Sequence, residues 1–122
     1  MPVMMGVTRN LMIRHTVLFK FRPGISWEDP RVERAEQITR ALPIHIPEIK
    51  NWWVGRNIAK RENAYDLVLQ GDFADQEALA RYLTHPEHQR GVAAWRELAT
   101  WVVVDAEIDP ESFQVRGVES TA

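Results

Sequence analysis

The chain has 122 residues and a mass of 14.1 kDa, the size of one compact domain, and its 15 Lys and Arg against 17 Asp and Glu leave a net charge of −2. With an isoelectric point near 6.1 there is no basic surplus to hold a phosphate backbone, so nucleic acid is not an expected partner. The absence of Cys excludes disulfides, thiolate metal sites and cysteine nucleophiles, while 45% hydrophobic residues suffice for one core.

Residues 1–12 lack the apolar run of a signal peptide or membrane helix, so they read as an N-terminal extension of a cytoplasmic protein with no membrane partner. The patterned domain is expected over 13–108, and 109–122 reads as a C-terminal tail. From Ile13 to Phe21 the alternation of His15, Val17, Phe19 and Phe21 with Thr16, Leu18 and Lys20 predicts a strand. Arg22-Pro23-Gly24 ends it. Asp29 and Pro30 then form an N-cap and first helical position, and Val32, Ala35, Ile38 and Leu42 fall on one helical stripe that stops before Pro43.

A second strand is expected over Ile49–Ala59 and a third over Asn63–Phe73, joined by a hairpin at Lys60-Arg61-Glu62-Asn63. Asp75 caps a short helix through Leu83, and Pro86 opens a longer one whose stripe is His88, Val92, Trp95 and Ala99. Trp101–Glu107 reads as the last strand. The resulting β-α-β-β-α-β order is the split βαβ of ferredoxin-like folds, an α+β class with a four-stranded antiparallel sheet and helices on one face. The uncovered face presents Leu18, Val68 and one of Trp52 and Trp53, a patch that a homodimer would bury.

Chemistry concentrates in Tyr82-Leu83-Thr84-His85-Pro86-Glu87-His88-Gln89, where Pro86 bends the chain at His85 and places Tyr82 and His88 on facing helix ends. Tyr82 shares a stripe with Ala78 and Leu79, and His88 shares one with Val92 and Trp95. His15 heads the apolar face of the first strand and can reach the same space. These residues suggest a pocket in which His88 is a general acid or base and Tyr82 a hydrogen-bond donor to a carbonyl or oxyanion. His15, Trp95, Val92 and Leu79 would bind the substrate. The plainer alternative, in which Tyr82 and His88 are amphipathic core residues satisfied by backbone groups, stays open. His85-x-x-His88 lacks a third ligand at metal-site spacing, His45 reads as a loop residue, and no Gly-rich phosphate loop appears, so neither a metal nor an organic cofactor is expected.

Four segments together, His15-Thr16-Val17-Leu18-Phe19-Lys20-Phe21, Tyr65-Asp66-Leu67-Val68-Leu69, Tyr82 to Gln89 and Val102-Val103-Val104-Asp105-Ala106, resemble the stress-responsive dimeric α/β-barrel (Dabb) family. The resemblance spans about residues 13 to 107 and implies a homodimer whose sheets form a barrel with helices outside. It also carries a function: a plant polyketide cyclase of the family uses a histidine and a tyrosine in the motif that matches His88 and Tyr82, and a pocket histidine that matches His15. The sequence departs from that pattern at the bulky Trp52-Trp53 pair and at Gln70-Gly71, expected to interrupt the third strand. The expected activity is cofactor-independent acid–base chemistry on a polyketide- or aromatic-type carbonyl compound, cyclase- or lyase-like. The alternative is a non-catalytic dimeric stress-response module that holds a small hydrophobic ligand.

Overall fold

A computed structural model describes residues 11–113. Four strands, β1 (Met12–Phe21), β2 (Asn51–Arg56), β3 (Leu67–Phe73) and β4 (Ala99–Ile108), form one antiparallel sheet in the order β2-β3-β1-β4. The helices α1 (Pro30–Arg40), α2 (Leu42–His45), α3 (Gln76–Leu83) and α4 (Pro86–Arg96) complete the expected ferredoxin-like order. Asp29 caps α1 by accepting the Arg31 amide at 2.9 Å, and Asp75 caps α3 by accepting that of Ala78 at 2.8 Å. The Pro23-Gly24 turn needs its glycine, whose φ is +85°. No helix among the described residues is long and apolar enough to cross a membrane.

Alternation along the strands sorts side chains between the faces. On the inner side Val17, Phe19, Leu67, Leu69 and Val54 meet Val32, Ala35, Trp95 and Leu98 in one core cluster. Ile13, Phe73, Leu42, Ile46, Ala78, Leu79 and Tyr82 form a second beside it. Each fully buried Leu or Phe contributes about 1.5–3 kcal/mol to folding. The outer side of the sheet carries Leu18, Trp53, Val102 and Val104, all exposed in the single chain. It is Trp53, not Trp52, that faces outward: the Trp52 ring turns inward and its Nε1–H donates to the Thr39 carbonyl at 3.1 Å.

Several boundaries move from their sequence-based positions. The helical path resumes after Ala41 as α2, with Pro43 in its first turn where no amide hydrogen is needed, so exposed His45 is helical and not in a loop. Met12, assigned above to the extension, pairs with Ile108 as the first residue of β1. Ala99 opens β4 and does not extend the α4 stripe. β2 and β3 are shorter than expected, and Tyr65 lies outside β3, because Asn57 and Asp66 join by a backbone bond and leave a longer connection than a tight hairpin. Gly71 does not interrupt β3; it pairs with both His15 and Trp52, and a Cβ there would lie 2.7 Å from the Trp52 ring. The extension through Asn10 and the tail from Gln114 lie outside the described residues.

Candidate functional site

The α3–α4 junction is built by one proline. Pro86 disfavours helical geometry in the residue before it, so His85 is extended at φ −68° and ψ 139°, and α3 ends at Leu83. The last carbonyls of a helix have no intrahelical donor. Here the Leu83 carbonyl takes two from the next helix, His88 Nδ1 at 2.9 Å and the Gln89 side-chain amide at 2.7 Å. A carbonyl only accepts, so His88 Nδ1 carries the proton. The neutral ring is thereby fixed in the tautomer whose Nε2 has a free lone pair.

His88 packs on Tyr82 with ring centroids 4.5 Å apart, and Tyr82 packs in turn on His15 at 5.6 Å. These three side chains line a cavity of about 120 Å³ between the sheet and the helices. Its other walls include Val17, Phe19, Leu69, Val92 and Trp95, with Trp101 and Val103 from β4. Trp95 is held there by its Nε1–H, which donates to the Thr39 hydroxyl at 2.8 Å. Of the substrate-binding candidates, His15, Val92 and Trp95 line the cavity. Leu79 does not; it is buried in the core cluster with Ile13 and Phe73 that also holds Tyr82, about one turn before Tyr82 along the same face of α3.

Tyr82 is only 1% exposed, yet none of the hydrogen bonds among the described residues ends on its hydroxyl. Among the described residues no fully enclosed side-chain oxygen or nitrogen lacks a partner, so this hydroxyl is accessible from the cavity. Burial, followed by the nearby Asp105 charge, pushes its pKa well above the ordinary value of 10.0, and Tyr82 remains a proton-bearing donor. His88 shifts the other way. Burial is the main cause, the Leu83 carbonyl opposes it, and His15 and His85 add to it, leaving the imidazole below its ordinary 6.5 and neutral near pH 7.

His15 Nδ1 lies 2.6 Å from Asp105 Oδ1 across the β1–β4 register, in which these two residues are direct partners. The carboxylate accepts, so His15 donates from Nδ1 and its Nε2 is left unused. Sequence reasoning missed this role of Asp105. The available signal was a carboxylate in phase with Trp101 and Val103 inside an otherwise apolar run; what it lacked was the register that sets Asp105 opposite His15. Thr39 was missed as well, since its part in holding Trp95 depends on α1 and α4 packing together. Among the described residues no three His, Asp or Glu side chains are gathered as a metal site, and His85 and His88 each turn Nδ1 to a different backbone partner.

The stress responsive A/B barrel domain (Dabb) model matches residues 13–108. An uncharacterized protein of Streptomyces coelicolor is 47% identical over 96 residues, which cover 79% of this chain and 99% of that protein. Among solved structures, a dimeric ferredoxin-like protein of unknown function from Thermobifida fusca matches with a TM-score of 0.70 at 27% identity, over 81% of this chain and 92% of that one. The hydroxynitrile lyase from Passiflora edulis matches with a TM-score of 0.69 at 16% identity, over 80% and 94% of the two chains, a likeness of fold alone. With the matched span running from the first residues of β1 to the end of β4, this chain belongs to the stress-responsive A/B barrel domain family.

Proposed function

We propose that the cavity is an acid–base site for a small carbonyl compound of polyketide or aromatic type, acting without a cofactor. The observation that carries this reading is the His88–Tyr82 pair: a neutral imidazole whose Nδ1–H is tied to Leu83, beside a tyrosine hydroxyl that meets the cavity with no hydrogen-bond partner among the described residues. His88 Nε2 takes a proton from the carbon alpha to the carbonyl. The C–H electron pair moves into the carbonyl, and the oxygen that gains charge accepts a hydrogen bond from Tyr82. The enolate then either attacks a second carbonyl, closing a ring, or is reprotonated; the reverse course cleaves a carbon–carbon bond. His15, oriented by Asp105, offers Nε2 to a substrate hydroxyl, and Val92 and Trp95 hold the apolar part.

The lining agrees with this substrate class, since Val17, Phe19, Leu69, Val92 and Trp95 surround the few polar groups with apolar and aromatic side chains. A lyase of the same fold, the Passiflora edulis enzyme, supports carbon–carbon chemistry as within reach of such a scaffold. The exposed apolar sheet face, and the dimeric Thermobifida fusca protein, support a homodimer with the two sheets face to face. Such an interface should bury well over about 1,000 Å².

Native mass spectrometry of protein purified from its own host, followed by identification of the co-purified molecule, tests the reading. A carbonyl compound that gains deuterium at its alpha carbon with the wild-type protein in heavy water, and not with His88→Ala, is the expected result. Exchange that is unchanged in His88→Ala, or a bound molecule with no carbonyl, assigns the cavity instead to a non-catalytic module for small hydrophobic ligands. Sedimentation at micromolar concentration tests assembly: a species near 14.1 kDa would refute the dimer.

A further inference from the structure

α4 begins with an unusual cap. The residue at the start of a helix normally offers a Ser, Thr, Asp or Asn oxygen to an amide of the first turn. Here His85 does so with a ring nitrogen: its Nδ1 accepts the Glu87 amide hydrogen at 3.0 Å. A nitrogen that accepts carries no proton, so His85 stands in the Nε2–H tautomer, opposite to that of His88. An imidazolium has hydrogens on both nitrogens and accepts nothing. Three residues on, in the same first turn, His88 makes the Leu83 contact that sets its ring.

We infer that His85 is a pH-gated positioning residue, whose neutral ring caps α4 and holds His88 against the Leu83 carbonyl, and whose protonation releases both. Charged groups of both signs surround His85. Glu48, on the segment between α2 and β2, feels the His85 charge, but it is bound to Arg81 of α3 at 2.9 Å. Glu87 beside it is bound to Arg90 at 3.2 Å, and His88 is a like charge if both rings are protonated. The first-turn amides of α4 present the positive end of the helix dipole to the same ring. Acid therefore removes the side-chain cap by turning Nδ1 from an acceptor into a donor that faces the Glu87 amide, while the His85 carbonyl keeps its bond from the Gln89 amide. The consequence for rate rests on His88 being the base, but the cap is readable without any substrate.

The test is nitrogen-15 NMR of the full chain between pH 8 and pH 5. At the upper limit His85 should show the Nε2–H tautomer, with the Glu87 amide protected from exchange. As His85 takes its proton, exchange at Glu87 should quicken about fivefold, the size that loss of one helix cap gives, and the His88 ring signals should move in step. His85→Asn supplies an oxygen that does not titrate, so Glu87 should remain protected and His88 should show its own titration alone. His85→Ala should show the fast Glu87 exchange at every pH. Titration of His85 with no change at Glu87, or an unaltered two-step His88 response in His85→Asn, overturns the inference. Failure of the enzymatic reading leaves these signals in place, and failure of the cap leaves the deuterium assay in place, so the two can be told apart.

Discussion

Along β1 the residues His15, Val17 and Phe19 turn toward the helices and are buried, whereas Arg14, Thr16 and Leu18 turn away, with Leu18 39% exposed. The two sets alternate along one strand, yet their partners differ in kind. The inner face is covered by the helices over a cavity lined by His15, Tyr82 and His88, whose Nε2, hydroxyl and Nε2 atoms make no hydrogen bond among the described residues. On the outer face the buried polar group is fully engaged: Asp72, 2% exposed, accepts two bonds from Arg14 at 2.8 and 2.9 Å and one from Asn51 at 3.0 Å. Burial tends to raise the Asp72 carboxyl, but the Arg14 and Asn51 bonds outweigh it and leave the group below the usual carboxylate range. A satisfied ion pair within an apolar patch suits packing and register, whereas unsatisfied donors and acceptors within a cavity suit a ligand.

The largest expected effect breaks the inner face. His88→Ala should lower turnover on the identified substrate by about 10²-fold to 10⁴-fold, the contribution of a general base, with sedimentation unchanged. Tyr82→Phe keeps the ring and its contacts with His15, Phe73 and His88, so it should cost about 10²-fold in kcat with little change in melting temperature. The outer face answers to a different substitution. Leu18→Glu places a charge opposite Val68 and Val102, and should weaken dimer association by about 10²-fold while His88 keeps its Leu83 contact.

Smaller effects sharpen the contrast. Gly71→Ala should destabilise the fold by about 1–3 kcal/mol, as overpacking does, since its Cβ meets the Trp52 ring at 2.7 Å; urea unfolding reads this directly. The smallest is a linkage effect. With the folded His88 pKa below its ordinary 6.5, the unfolded chain binds more protons between the two values. Its contribution to stability is therefore complete above pH 6.5 and is lost as pH falls toward the folded value. His88→Gln should flatten stability against pH in that window. A profile that instead loses stability as pH rises would show that the ring is held as a cation.

Much of this was legible in the sequence, and the reasons are local. The period-two run from Ile13 to Phe21 and the caps at Asp29, Asp75 and Pro86 act over a few residues, so β1, α1, α3 and α4 were placed close to their true bounds. The bend at His85-Pro86 likewise brought Tyr82 and His88 together, because proline constrains its predecessor whatever the tertiary context. Long-range pairings were not legible. Asp105 became a partner of His15 through a register 90 residues apart, and Trp52 and Trp53 divided between the faces according to how β2 meets β3. Leu79 left the site for the same reason: a shared helical stripe with Tyr82 does not say where the cavity ends.

The claim that the inner face holds a working base turns on which nitrogen of His88 carries the proton. Nitrogen-15 NMR of the ring at pH 7.5 measures this without a substrate. The Leu83 contact predicts a neutral imidazole protonated on Nδ1, with Nε2 unprotonated and shifted by any carbonyl ligand that enters the cavity. A ring protonated on Nε2, or on both nitrogens at that pH, would contradict the assignment of His88 as the base.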